Sequence, residues 1–271
     1  MRIPFAQIDA FASAAFEGNP AAVMPLTAWL DDVVLQQIAV ENNLSETAFI
    51  IPDASGASDF ELRWFTPAVE VALCGHATLA SGHFVLTSEP DRERVTFRTR
   101  QAGLLEVARA GAGYEMALPA WAPTPCEMPE VVAALGVDAV EVLFHEKGYP
   151  LVIVADEAAV RAAKPDGRAL AALGPYVTIV SAPGDPGAGA GAGADVVSRV
   201  FTPYFDIPED PVTGSAHAVM TPYWAGRLGR ESFTAFQASA RGGRVGCRLA
   251  GDRVILSGAC VSVIEGTFLL P

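Results

Sequence analysis

Apolar and polar positions alternate with period two along much of the chain, broken by stretches of helical period. Ile3 to Phe11 and Pro20 to Leu26 read as strands, and Asp31-Asp32 opens a helix whose apolar face is Val34, Leu35 and Ile38. Strands follow near Glu46–Pro52 and Phe60–Phe65, then a helix from Gly75 toward Leu86. Val95–Leu118 predicts a three-stranded meander with turns at Gln101–Gly103 and Gly111–Gly113. The next run, Pro119-Ala120-Trp121-Ala122-Pro123-Thr124-Pro125, cannot form helix or central strand, because its prolines lack donors and bias their predecessors to extended backbone.

Beyond that run the same order returns. Gly18-Asn19-Pro20-Ala21-Ala22-Val23 is echoed by Gly148-Tyr149-Pro150-Leu151-Val152-Ile153, and Arg63-Trp64-Phe65-Thr66-Pro67 by Arg199-Val200-Phe201-Thr202-Pro203. Gly75-His76-Ala77 pairs with Gly214-Ser215-Ala216, and Phe97 through Gly103 with Phe236 through Gly242. Offsets that grow only by loop insertion are the mark of a duplicated unit. The predicted fold class is therefore α+β, with two pseudo-symmetric domains. Their expected bounds are 1–118 with 261–271 crossing back, a linker over 119–128, and 129–260. The glycine-alanine tract at 187–194 predicts a mobile hairpin loop.

Composition narrows the function. In 271 residues, 51% hydrophobic, the formal net charge is −13, which repels polyphosphate and anionic membrane. Nucleic acid and membrane are not expected partners. Gln7 and Asp9 interrupt the N-terminal apolar stretch before it reaches signal-peptide length, so a cytoplasmic address is the expectation. Cys74, Cys126, Cys247 and Cys260 lack zinc-site spacing and read as reduced thiols; no metal is expected.

In each half a Phe-Thr-Pro strand end leads, after an acidic residue, into a turn of small residues that opens a helix. The first is Glu70-Val71-Ala72-Leu73-Cys74-Gly75-His76-Ala77-Thr78, the second Glu209-Asp210-Pro211-Val212-Thr213-Gly214-Ser215-Ala216-His217. N–H groups at a helix start carry partial positive charge and glycine admits close approach, so a pair of such turns suits a small carboxylate. Neither a Walker loop nor a Rossmann fingerprint is present, and no nucleotide cofactor is indicated.

These segments, with Asn43-Leu44-Ser45-Glu46-Thr47-Ala48-Phe49, Arg241-Gly242-Gly243 and Ile264-Glu265-Gly266-Thr267, resemble the PhzF family. These are the phenazine-biosynthesis-like proteins of the diaminopimelate epimerase fold. The wording is nearest the branch that includes the mammalian MAWD-binding protein. The resemblance implies two similar domains, each a curled, mostly antiparallel sheet around a central helix, a homodimer, and isomerisation without cofactor or metal. The family's characterised reaction moves a ring double bond of trans-2,3-dihydro-3-hydroxyanthranilate by proton transfer.

That chemistry needs a base that removes a carbon-bound proton and returns it elsewhere, a task one carboxylate in an apolar pocket can perform. Glu46 matches the family's catalytic glutamate. His76, in the first helix turn, is expected to be neutral there and to relay a proton. Asp210 matches the family's site aspartate and would orient an amine or hydroxyl. Asn19, Ser45, Gly75, Gly214 and Ser215 are the expected substrate contacts, the ligand being a small anionic metabolite. His217 reads as structural or supporting. Two other classes stand beside this one. An amino-acid epimerase or racemase would use Cys74 with Asp210, which the sequence places opposite it in the second half, and a protein-binding member of the family would have no reaction at all. Pro222, two turns into the second central helix, is expected to kink or loosen it.

Overall fold

A computed structural model describes residues 1–187 and 191–270. Contacts divide them into two units, the first Met1–Ala117 together with the tail from Ser257, the second Leu118–Leu256.

The first unit contains β1 (Arg2–Ala10), β2 (Asn19–Pro25), α1 (Asp32–Asn42), β3 (Glu46–Pro52), β4 (Phe60–Phe65), β5 (Glu70–Val71), α2 (Gly75–Ser88), β6 (Arg94–Thr99), β7 (Leu104–Ala110) and β8 (Gly113–Pro119). It is completed by the C-terminal strand β18 (Cys260–Leu269), antiparallel to β1. Hydrogen bonding runs β18-β1-β2-β3-β4-β6-β7-β8, antiparallel except at β2/β3 and β4/β6. Helix α2 packs against β1, β2, β3, β6, β7 and β18. A helix enclosed by a sheet has no solvent face, and 11 of its 14 residues are buried. Gly82 sets the approach distance: a Cβ there would lie 2.4 Å from Val107 Cγ1.

The second unit holds β9 (Thr124–Pro125), α3 (Pro129–Leu135), β10 (Glu141–His145), β11 (Tyr149–Ile153), α4 (Glu157–Ala162), α5 (Gly167–Leu173), β12 (Thr178–Pro183), β13 (Val196–Thr202), β14 (Ile207–Asp210), α6 (Gly214–Leu228), β15 (Ser232–Gln237), β16 (Gly243–Ala250) and β17 (Arg253–Gly258). Its pairings repeat those of the first: β11/β12 parallel like β2/β3, β13/β15 parallel like β4/β6, with antiparallel neighbours between. Helix α6 takes the place of α2 and packs on β11 and β16.

Each repeat also carries the same clamp on its turn. Arg63 forks onto Glu70 at 2.7 and 2.8 Å and lies 4.9 Å from the Phe65 ring centroid. Arg199 forks onto Glu209 at 2.8 and 2.9 Å and lies 4.8 Å from Phe201. The guanidinium fork thus ties the strand before the bend to the strand after it, and fixes where each helix begins.

One expectation changes here. The segment 119–128, read as an inter-domain linker, is packed into the second unit: β9 pairs with β10, and Ala120 and Trp121 donate to the Asp252 and Ala218 carbonyls. Trp121 also stacks on His145, with ring centroids 5.8 Å apart. Pro222 lies inside α6, which is helical from Gly214 to Leu228, and removes one helical hydrogen bond. The Ala218 carbonyl, four residues back, is the acceptor that proline leaves without a helical donor, and the Trp121 N–H fills it at 3.2 Å. Docking of the supposed linker and tolerance of the helical proline are one interaction. The neighbouring Trp224 is core, its Nε1–H donating to Ser181 Oγ at 3.0 Å. The mobile-loop expectation falls partly on 188–190, outside the described residues; Ala192 is held by Arg244 and the Ala194 N–H donates to Gly191 O. Among the described residues no helix is long and apolar enough to cross a membrane.

Candidate functional site

The first unit builds its site from three elements. Asn43 closes α1 in the left-handed region at φ 49°, a conformation asparagine tolerates, and turns the chain so that half-buried Ser45 leads directly into β3. Glu46 is the first residue of β3, and the parallel register sets it beside Ala21 of β2, two residues past Asn19. Cys74 caps α2 in extended conformation, and Gly75 and His76 form the helix's first turn, both buried.

These elements bring Glu46, Cys74, His76 and Asn19 together. His76 Nε2 faces Glu46 Oε2 at 2.9 Å, an ion-pair contact out of alignment for a full hydrogen bond. His76 Nδ1 lies 3.2 Å from Asn19 Nδ2 and 3.5 Å from Cys74 Sγ. The Glu46 side chain keeps 13% exposure and His76 4%, so the carboxylate is the member that solvent can reach.

Charge differs from the expectation at His76. Burial alone would depress its pKa, but its two neighbours, Cys74 and the Glu46 carboxylate, outweigh burial and hold it well above the ordinary histidine value. The helix-end argument for a neutral ring therefore fails, because a carboxylate in contact acts more strongly than partial charges spread over several N–H groups. Burial, and then the Glu46 charge, push the Cys74 thiol up to about 11, so it is protonated at neutral pH. Glu46, Cys74 and His76 offer donor atoms within 4.8 Å of one another. Cys74 Sγ lies 3.5 Å from Nδ1 and Glu46 Oε2 2.9 Å from Nε2.

Asn19, an expected substrate contact, is wholly buried, and its amide lies against His76. It sits on the Nδ1 side of the His76 ring, while Glu46 faces Nε2.

The second turn is built differently. Thr213, not Asp210, occupies the helix-capping place that Cys74 holds in the first unit, since both residues immediately precede the turn glycine. Asp210 lies three residues earlier, at the end of β14, and accepts the Thr213 hydroxyl. Gln237 staples this bend: its Oε1 accepts the Thr213 N–H at 2.9 Å and its Nε2 donates to Asp210 O at 2.6 Å. His217 donates Nδ1–H to Thr213 O at 2.8 Å, and burial lowers its pKa to about 4, so it is a neutral structural residue. Burial raises the Tyr149 pKa, Ser215 partly offsets this and the Asp210 charge adds to it.

Gln237 and Tyr149 carry no role in the sequence reading. The signal for Tyr149 was present in the echo of Gly18-Asn19-Pro20 by Gly148-Tyr149-Pro150. Gln237 had none, because its partners lie 24 and 27 residues away.

Comparison with known proteins agrees with this architecture. The family model described as PhzC-PhzF, phenazine biosynthesis-like protein, matches residues 8–266. An uncharacterized isomerase of Pseudomonas aeruginosa is 46% identical, with 100% of each chain covered. The crystal structure of a PhzF-family phenazine biosynthesis protein from Enterococcus faecalis superposes with TM-score 0.90 at 41% identity, covering 100% of both chains. A hydroxyproline epimerase from Agrobacterium vitis, 11% identical, shares the fold at TM-score 0.63 over 98% of this chain and 92% of its own.

Proposed function

This chain belongs to the PhzC-PhzF family of phenazine biosynthesis-like proteins, and from that premise we propose that it is an isomerase shifting a double bond by cofactor-independent proton transfer. The substrate class is a small carboxylate, cyclic ones included, such as a dihydro-hydroxyanthranilate-like compound, with Glu46 as acid and base.

The observation that carries the reading is the Glu46/His76 contact at 2.9 Å, on a carboxylate that is enclosed yet reachable. Removing a proton from a carbon beside a double bond leaves an anion spread over three carbons. Returning the proton at the far end completes the shift with no net gain or loss. Glu46 takes the proton from one carbon and gives it to the other, while His76 holds the second carboxylate oxygen and fixes the direction of the first. The Gly75 turn offers backbone N–H groups near the same carboxylate for a substrate anion. Asp210, Gly214 and Ser215 remain proposed substrate contacts, and a homodimer is part of the same proposal.

The epimerase reading loses support. It needs a thiolate at Cys74, whose pKa lies near 11, and its second-unit counterpart is the hydroxyl of Thr213.

The test follows trans-2,3-dihydro-3-hydroxyanthranilate in D2O by proton NMR. Deuterium should enter the accepting ring carbon, and Glu46→Gln should slow this about 10²–10⁴-fold, the usual contribution of a general acid–base. Unchanged turnover in Glu46→Gln together with its loss in Cys74→Ser would overturn the assignment.

A further inference from the structure

We propose that Asn19 is a positioning residue for this proton transfer: by facing His76 Nδ1 with an amide that can donate or accept, it confines gain and loss of the ring's proton to Nδ1 and keeps a hydrogen on Nε2 toward Glu46. The inference rests on Glu46 as the acid–base.

Asn19 is fully buried in β2 and its Nδ2 lies 3.2 Å from His76 Nδ1. An imidazole nitrogen opposite an amide NH2 is an acceptor, and a neutral ring that accepts at Nδ1 carries its hydrogen on Nε2. Cys74 points the same way. Its protonated thiol, 3.5 Å from the same nitrogen, is a second donor. When the ring takes a second proton it becomes a donor at Nδ1 as well. A half-turn of the Asn19 amide then presents oxygen, a reversal that hydrocarbon or ammonium side chains cannot make. In both states Nε2–H remains on the Glu46 Oε2 side, 2.9 Å away. The titratable groups that bear on His76 are Glu46 from β3 and Cys74 from the head of α2.

The duplicated unit supplies an independent argument. Tyr149 stands where Asn19 stands in the repeat, and Ser215 where His76 stands, immediately after the turn glycine. Ser215 bears on the Tyr149 hydroxyl, so the two side chains are neighbours. The first residue of the strand after Gly18 or Gly148 thus supports the residue behind the turn in both copies, although the side chains have nothing chemical in common.

The consequence concerns where a transferred proton goes. A bare Nε2 lone pair facing Glu46 would draw off the proton Glu46 has just taken from carbon. With Nε2 already protonated, that proton stays on Glu46 and returns to the substrate.

Histidine-labelled protein, titrated from pH 6 to 10 and observed by ¹⁵N–¹H correlation, tests this without any substrate. In the parent protein Nε2 should keep a protonated-type shift throughout, and only Nδ1 should change. Asn19→Leu should move the His76 midpoint by at least one pH unit, a tenfold change in proton affinity. Asn19→Ser, whose hydroxyl both donates and accepts, should restore most of it and guards against a folding defect in the leucine variant. With a turned-over substrate in D2O, Asn19→Leu should lower kcat about tenfold, leave KM within twofold, and increase solvent label in the product. A neutral ring carrying its hydrogen on Nδ1, or a midpoint unmoved in both variants, overturns the inference. A KM rise with kcat unchanged also overturns it, by making Asn19 a substrate contact. Absence of turnover in the parent protein would count against the proposed reaction, and the titration would still decide the role of Asn19.

Discussion

Replacing Gln237 by leucine should destabilise the protein by about 1–3 kcal/mol, because it strips the buried Thr213 N–H of its acceptor and takes a donor from the half-buried Asp210 carbonyl. Gln237 ends β15 with no exposed surface, accepts the Thr213 N–H at 2.9 Å and donates to the Asp210 carbonyl at 2.6 Å. Its Nε2 also reaches Thr213 Oγ1 at 3.3 Å. A buried backbone donor or acceptor left unmade costs about 1–3 kcal/mol, and leucine fills nearly the same volume, so the loss is polar with little cavity contribution. Urea unfolding at neutral pH measures the total, and amide exchange at Thr213 locates it. Gln237→Glu keeps the acceptor for Thr213 but sets a carboxylate against the Asp210 carbonyl, so it should recover little. A loss below about 0.5 kcal/mol in the leucine variant, with Thr213 exchange unchanged, would refute the stapling argument, since that is the scale of ordinary surface substitutions.

Other substitutions probe the pH dependence and the packing. His217 has its pKa lowered by burial from 6.5 to about 4, so its stabilising contribution is full above 6.5 and is lost as pH falls through 4; the difference is about 3 kcal/mol, and His217→Gln should flatten that limb of urea stability against pH. His76 runs oppositely. Its raised pKa gives stability that is full below 6.5 and lost as pH rises through the folded value, so denaturation of His76→Gln and the parent should converge on the alkaline side. Gly82→Ala should lose about 1–2 kcal/mol by thermal melting, because its Cβ would lie 2.4 Å from Val107 Cγ1 and 2.6 Å from Val107 Cβ, a clash only partly offset by the gain in helix propensity. Adding Val107→Ala should relieve that clash, and no relief would mean the strain lies elsewhere.

Much of this was legible from local pattern. Period-two runs and the glycine turns located β1 to β4, β6 to β8 and α2 within a residue or two, though not the two-residue β5, and the echoes across offsets near 130–139 predicted the duplicated unit that the repeated pairing order matches. What stayed hidden depends on contacts between distant segments. The charge of His76 is set by a carboxylate 30 positions earlier, which a helix-end argument does not include. Pro222 looked disruptive because its compensating donor, Trp121, belongs to a proline-rich stretch with no periodicity of its own. Setting Asp210 opposite Cys74 followed chemistry and overlooked the count of residues to the turn glycine, which selects Thr213.

The paired Arg–Glu–Phe clamps make each turn an exchangeable cartridge. Arg63 with Glu70, and Arg199 with Glu209, secure the chain five residues upstream of the turn glycine in both copies and leave the side chains beside the glycine free to differ. One copy has accordingly become Cys-Gly-His and the other Thr-Gly-Ser on the same mount. Divergence after duplication could thus proceed by editing a few side chains without renegotiating the scaffold.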